Sequence, residues 1–193
     1  MESNFPRCLD FVFAREGGYT DDPRDPGAAT NHGSTAATLQ AWRGHSVTPL
    51  DVQQLGKPEA ARIYHSRYWD AAWCDAMPGG IDLLVFDAAV NTGAQRSLDF
   101  LKVQIGLGVP IRGRHHRIHP VDRHLAAGLE QSVLDRLAGL CVPAVIMGLC
   151  GRRTAYYRSL PGFGAFGRGW LARVALAELL AMHLWVSGGT GSA

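Results

Sequence analysis

Glu16 follows Val12 by four residues and Phe13 by three. Those spacings place its carboxyl on the apolar stripe of an amphipathic helix, at the helix's C-terminal end. Desolvation and the negative end of the helix dipole both favour a carboxyl that keeps its proton. A retained proton is what cleavage of a glycosidic bond requires, because the leaving oxygen must be protonated as the bond breaks. The alternative is that the side chain frays outward beside Gly17 and Gly18, or pairs with Arg15 or a more distant arginine. Downstream come Asp21, Asp22 and Asp25, then Thr30 and Asn31. A second carboxylate on a polar loop opposite a buried acid can activate a water or stabilise an oxocarbenium-like transition state. Asp-Pro and Asp-Pro-Gly segments are also common turn formers, which leaves a purely local role open for these aspartates.

The elements that must position these groups read as mainly helical. Phe5, Cys8, Leu9, Val12 and Phe13 fall at i, i+3, i+4, i+7 and i+8, one stripe of a helix. Asn4 suits its N-cap, Pro6 its first turn, and Gly17-Gly18 its stop. Residues 17–35 form an irregular loop in which a short hairpin fits. Helices follow near 35–43, near 49–55 behind Thr48-Pro49, from Pro58 to about Trp69, over a nearly all-apolar 81–92, and over 95–105. Gly106 to Pro120 reads as a junction rich in Gly, Pro, Arg and His. Beyond it, helices are expected near 121–128, 130–141, 143–158 and 168–186.

Composition is globular, with 47% apolar and 19% charged residues over 193 positions. The net charge of +2 is too small to argue for nucleic acid, and no nucleic-acid partner is expected. Met1 to Arg15 carries no basic segment followed by an apolar one, hence no secretory signal. Leu137 to Cys150 is uncharged but shorter than the ~20 residues a spanning helix needs. Val174 to Val186 is broken by Glu178 and His183. Cys8, Cys74, Cys141 and Cys150 show no CxxC spacing and read as reduced thiols.

Glu16-Gly17-Gly18-Tyr19, then Asp21-Asp22-Pro23, Asp25-Pro26-Gly27 and Thr30-Asn31-x-Gly33, resemble the start of the glycoside hydrolase family 108 N-acetylmuramidases. The resemblance continues through Asp51-Val52, Glu59-Ala60, Ile63-Tyr64, Tyr68-Trp69-Asp70 and Asp75-x-x-Pro78. It then takes in Phe86-Asp87-Ala88-Ala89-Val90-Asn91-x-Gly93 and Phe166-Gly167-Arg168-Gly169-Trp170. It implies a lysozyme-like helical catalytic domain over 1–93, with an irregular active-site loop. A helical, peptidoglycan-binding region would follow over 94–187, and a flexible tail over 188–193. It implies that Glu16 is the catalytic acid. By similarity to the Glu–Asp–Thr order of phage-type lysozymes, it implies Asp25 as second carboxylate and Thr30 as the residue positioning water. The implied reaction is inverting hydrolysis of the β-1,4 bond after N-acetylmuramic acid, by a monomer, with no cofactor or metal. Such a chain would be made without a signal peptide. It would act at the wall or periplasm after release through a holin, a secretion system or lysis.

Further contacts to glycan are expected from Tyr19, Asn31, Asp87 and Asn91. Asp87 and Asn91 are i, i+4 on one face of an apolar helix. There they either line a cleft and bond sugar groups or brace the loop as internally satisfied polar groups. Tyr19, Tyr64, Tyr68, Trp69 and Trp73 either stack on sugar rings or fill the core.

The chain departs from the family at several points. The loop reads Gly27-Ala28-Ala29-Thr30-Asn31-His32-Gly33-Ser34-Thr35, where the family has Gly-Gly-x-Thr-Asn-Tyr-Gly-Ile-Thr. His115 to Asp122 replaces a turn like Asp-Gly-x-Ile-Gly-Pro-x-Thr. The replacement creates a cluster in which Arg112, Arg114, Arg117 and Arg123 sit among His115, His116, His119 and His124. It reads as a tether to anionic wall or membrane, strengthening below about pH 6.5 as His protonates. A metal site at His116/His119 or His115/His119, and a solvated loop, are the other readings. The altered loop keeps a second function in view: a wall-binding or secretion-assisting protein impaired in catalysis.

Overall fold

A computed structural model describes residues 4–21, 29–108 and 123–189. The fold is mainly α, with a single short hairpin among the described residues. Contacts divide the chain into two compact units, Phe5–Arg67 and Tyr68–Ala193 with Met1–Asn4.

The smaller unit carries α1 (Phe5–Phe13), β1 (Thr30–Asn31), β2 (Ser34–Thr35), α2 (Ala36–Arg43), α3 (Pro49–Gln53) and α4 (Lys57–Tyr64). Helix α1 buries Cys8, Leu9, Phe11 and Val12, so the predicted stripe is the inward face, with Phe11 added at its edge. Its last turn runs on past Phe13: the Glu16 amide donates to the Val12 carbonyl at 3.1 Å. The hairpin suspected in the loop is present. Thr30 pairs with Thr35 and Asn31 with Ser34, and the two-residue turn His32-Gly33 has φ of 46° and 70°. Two positive φ values match the twist of a tight antiparallel pair.

Thr35 caps α2 by accepting from the Thr38 amide, and Gly44 closes it in the left-handed region. Thr48 and Asp51 form a reciprocal capping box at α3. Arg43 grips Glu59 through two bonds of 3.0 and 2.8 Å, tying α2 to α4, and reaches Asp51 at 3.4 Å. Between these helices lies a core of Ala29, Leu39, Val52, Leu55, Ala60 and Ile63, with Phe13 and Tyr19 packed against it.

The larger unit is organised on α5 (Ile81–Thr92), flanked by α6 (Ala94–Gln104), α8 (Val142–Arg158) and α9 (Phe163–Gly189). Nine successive residues of α5, Ile81 to Ala89, are buried, as its nearly all-apolar sequence predicts. Asn4 does not only open α1; its amide donates to Asp82 at 2.8 Å. Burial pushes the Asp82 carboxyl up, against that bond and those from the Leu83 and Gly80 amides. Gly80 has φ of 89°, and a β-carbon there would collide with the Ala181 carbonyl oxygen, so α9 approaches α5 through a glycine.

Two expectations change in this unit. The two helices expected near 121–128 and 130–141 are one, α7 (Arg123–Ala138). The expected start of α9 moves back from 168 to Phe163 despite three early glycines, and Gly167 lies directly under the Phe163 ring. By length and composition alone, Phe163–Gly188 is also long and apolar enough to cross a membrane, with only 22% of that window buried. Arg173, however, bonds the Asp87 carboxylate of α5 at 2.8 Å, which fixes α9 to the core around α5. Cys8, Cys74 and Cys150 are buried free thiols and Cys141 is exposed. Burial pushes the Cys150 thiol up to about 12.

Candidate active site

Glu16 sits one turn beyond α1 and is half-buried. The helical bond from its amide to Val12 keeps it on the same face as Val12, as the i+4 spacing requires. It is not sunk in the core but partly open to solvent. Arg15 turns back instead. Its guanidinium lies 3.5 Å from the centre of the Phe11 ring and donates to the Phe11 carbonyl at 2.6 Å.

The partner of Glu16 is the hairpin turn. A β-carbon on Gly33 would stand 2.8 Å from Glu16 Oε2 and would collide with the Tyr64 hydroxyl oxygen. Carboxyl and phenol thus share the space that any side chain at Gly33 would fill. Tyr64 is 1% exposed at the end of α4, and its hydroxyl donates to the His32 carbonyl at 3.0 Å. The Phe13 ring meets Tyr64 edge-on at 5.3 Å and His32 at 5.9 Å. Helix α1, the turn and α4 converge on the Glu16 carboxyl.

Gly33→Ala combines a left-handed φ with two collisions. Cβ strain alone costs about 1–2 kcal/mol, and the turn must also retreat from Glu16. The expected outcome is a modest fall in melting temperature with glycan cleavage reduced about 10-fold or more. Unchanged cleavage by the Ala variant would show that the turn does not position the carboxyl.

The remaining predicted residues fall into distinct settings. Thr30 is on β1, half-buried, and exchanges two 2.8 Å backbone bonds with Thr20. Asp25 lies outside the described residues, as do Asp22, Arg112, Arg114, Arg117 and the histidines 115, 116 and 119. Arg123 opens α7. Tyr19 is half-buried over the small core and donates to Asp21 at 3.3 Å. Desolvation, then the Asp21 charge, raises the Tyr19 phenol. Asn31 is 6% exposed, and its amide nitrogen lies 3.1 Å from the Val52 carbonyl and 3.0 Å from that of Gln53. Those bonds make it a strut from β1 to the end of α3, where an apolar residue would leave carbonyls unpaired.

Asp87 belongs to the larger unit and is fully buried. Its carboxylate is taken up by Arg153 on one oxygen and Arg173, at 2.7 and 2.8 Å, on the other. The buried carboxylate is thus engaged by arginines of α8 and α9, so Asp87 braces the helices of the larger unit; neither glycan contact nor the bracing of the loop, the two readings its i, i+4 spacing offered, describes this arrangement. Asn91 is exposed on the same helix, and its amide donates to the Asp87 backbone carbonyl at 3.0 Å.

Sequence reasoning placed Tyr64 among aromatics that either stack on sugar rings or fill the core, and did not join it to Glu16. The available signal was a glycine in a two-residue turn, which marks a point of close approach.

The mainly helical fold holds the Glu16 carboxyl against a hairpin turn. Residues 9–93 match the family model described as glycosyl hydrolase 108. The fold is similar to a solved structure titled "Structure of Brucella abortus SagA". The TM-score is 0.76 and the identity 32%, covering 94% of this chain and 95% of that one. No curated protein matches the sequence. The chain belongs to the glycosyl hydrolase 108 family and carries a glycoside hydrolase domain.

Proposed function

We propose that this protein is an N-acetylmuramidase that cleaves the β-1,4 bond between N-acetylmuramic acid and N-acetylglucosamine in peptidoglycan, with Glu16 as general acid. The observation that carries the reading is the half-buried Glu16 carboxyl lodged against Gly33, in a chain of a glycoside hydrolase family. Glu16 protonates the leaving oxygen as the glycosidic bond breaks. Asp25, nine residues on, serves as the base that draws a proton from water, and Thr30 orients that water on β1. A base acting through water requires the carboxyls to stand roughly 6.5–9.5 Å apart, which inverts the anomeric centre.

The test is product analysis. Purified peptidoglycan incubated with the protein should yield new reducing ends of N-acetylmuramic acid by mass spectrometry, released first as the α anomer by NMR. Reducing-end N-acetylglucosamine would overturn the bond assignment, and a β anomer the inverting mechanism. Intact glycan would overturn the enzymatic reading itself.

A further inference from the structure

We infer that the groove between α1 and α4 binds the stem peptide of peptidoglycan, with Lys57 taking a carboxylate of the stem and Asp10 its ammonium. The inference rests on the reading of this chain as a peptidoglycan hydrolase for the choice of ligand. The groove lies within the smaller unit and measures about 480 Å³. Leu9 and Phe13 from α1, with Pro58 and Ala61 from α4, give it apolar walls. Among the described residues, the charges that line it are those of Asp10 and Lys57. Both residues are exposed, and neither has a hydrogen-bond or ion-pair partner for its side chain among the described residues, although they carry opposite charge and line one groove. Each also opposes the dipole of its own helix. Lys57 is the first residue of α4, where the dipole disfavours a cation, and Asp10 is in the last turn of α1, where it disfavours an anion. Neither charge serves the helix that carries it.

A groove with apolar walls and one charge of each sign fits a ligand that carries both signs on a small apolar backbone. N-acetylated sugars offer no cation for Asp10. The stem peptide offers one: alanines flank a γ-linked glutamate and a diamino acid, which leaves free carboxylates and a free ammonium. The reach is sufficient. Phe13 lines the groove three residues before Glu16, and Asp10 stands six residues before it. At about 1.5 Å per residue, Asp10 lies within about 9 Å of the acid along the helix axis. A four-residue stem spans up to about 14 Å when extended. A stem carried by a sugar at Glu16 therefore reaches the groove.

The test compares two substrates on the intact protein: glycan strands bearing tetrapeptide stems, and the same strands stripped by an amidase. The wild type should cleave the stem-bearing strands with a kcat/KM about 5- to 20-fold higher, mostly through KM. Lys57→Ala and Asp10→Ala should each lower that ratio by about 2- to 5-fold, the range of an exposed ion pair, and the double variant should bring it close to 1. A variant that merely loses stability lowers both values and leaves the ratio as it was. A ratio near 1 in the wild type, or one that survives both substitutions, would overturn the proposal. Direct binding separates that failure from failure of the hydrolase reading. The N-acetylated tetrapeptide L-Ala–γ-D-Glu–meso-diaminopimelate–D-Ala, titrated into the protein and followed by NMR, should perturb the amides of α1 and of the start of α4. It should bind Lys57→Ala more weakly, and binding to the wild type should weaken as salt rises. Saturable binding at these amides without glycan cleavage would remove the hydrolase reading and keep the groove. Cleavage with no peptide binding would keep the hydrolase reading and overturn the groove.

Discussion

Glu16→Gln should reduce glycan cleavage by about 100- to 10,000-fold, the range a general acid contributes, with the fold unchanged. The amide matches the carboxyl in size and fills the same space over Gly33, so the turn and Tyr64 keep their places. What it lacks is a proton it can give up. The side chain is half-buried at the rim of a small unit whose core lies elsewhere, between α2, α3 and α4. Its replacement removes no apolar burial, and the melting temperature should move by no more than about 2 °C. Activity assayed on purified sacculi, beside a melting curve, separates the two effects. Wild-type cleavage by Glu16→Gln would sink the assignment. A large fall in melting temperature would mean that the carboxyl supports the fold.

Much of this site is legible in the sequence, for identifiable reasons. Helical spacing is a local property, so the four-residue step from Val12 to Glu16 is enough to put both on one face. The apolar run Ile81 to Ala89 predicts burial on all sides, and α5 is buried on all of them. Approaches between distant residues are what local spacing does not reveal. Tyr64 and Gly33 lie 31 positions apart, and nothing in the local composition says that a phenol fills the space a side chain at Gly33 would take. Asp87 shows the same limit from the other side. A carboxylate on an apolar helix is equally a ligand for sugar and a counter-ion for arginine, and only the folded positions of Arg153 and Arg173 decide between them. Ser34 is a third case. It stands where the family has a branched apolar residue, and it is 1% exposed with its hydroxyl unpartnered among the described residues. Tertiary packing also overrides propensity in α9, where Gly164, Gly167 and Gly169 argue for a later start than the helix has.

Asp87→Ala should destabilise the larger unit by about 3–5 kcal/mol, the usual consequence of leaving a buried charge without its partner. Arg153 is 3% exposed, the Arg173 side chain is partly exposed at 14%, and both bond this one carboxylate. Burial alone would drive the Arg153 guanidinium toward neutrality; Asp87 and Tyr157 together more than offset it, and the Arg153 pKa is raised. Tyr157 accepts a bond from Arg153 Nε at 2.9 Å, and its ring centre lies 5.4 Å from the guanidinium. Without Asp87, two guanidinium groups lose their shared counter-ion, and α5 loses its ionic ties to α8 and α9. For a chain of this size the melting temperature should fall by roughly 10 °C. The double replacement of Arg153 and Arg173 by Met in the Asp87→Ala background should recover part of the loss, because it removes the charges the missing carboxylate left behind. The same experiment tests the competing possibility that Asp87 binds glycan. Were Asp87→Ala to melt like the wild type and lose substrate affinity instead, the carboxylate would have to be free to leave its two arginines, and the bracing role assigned to it would be wrong.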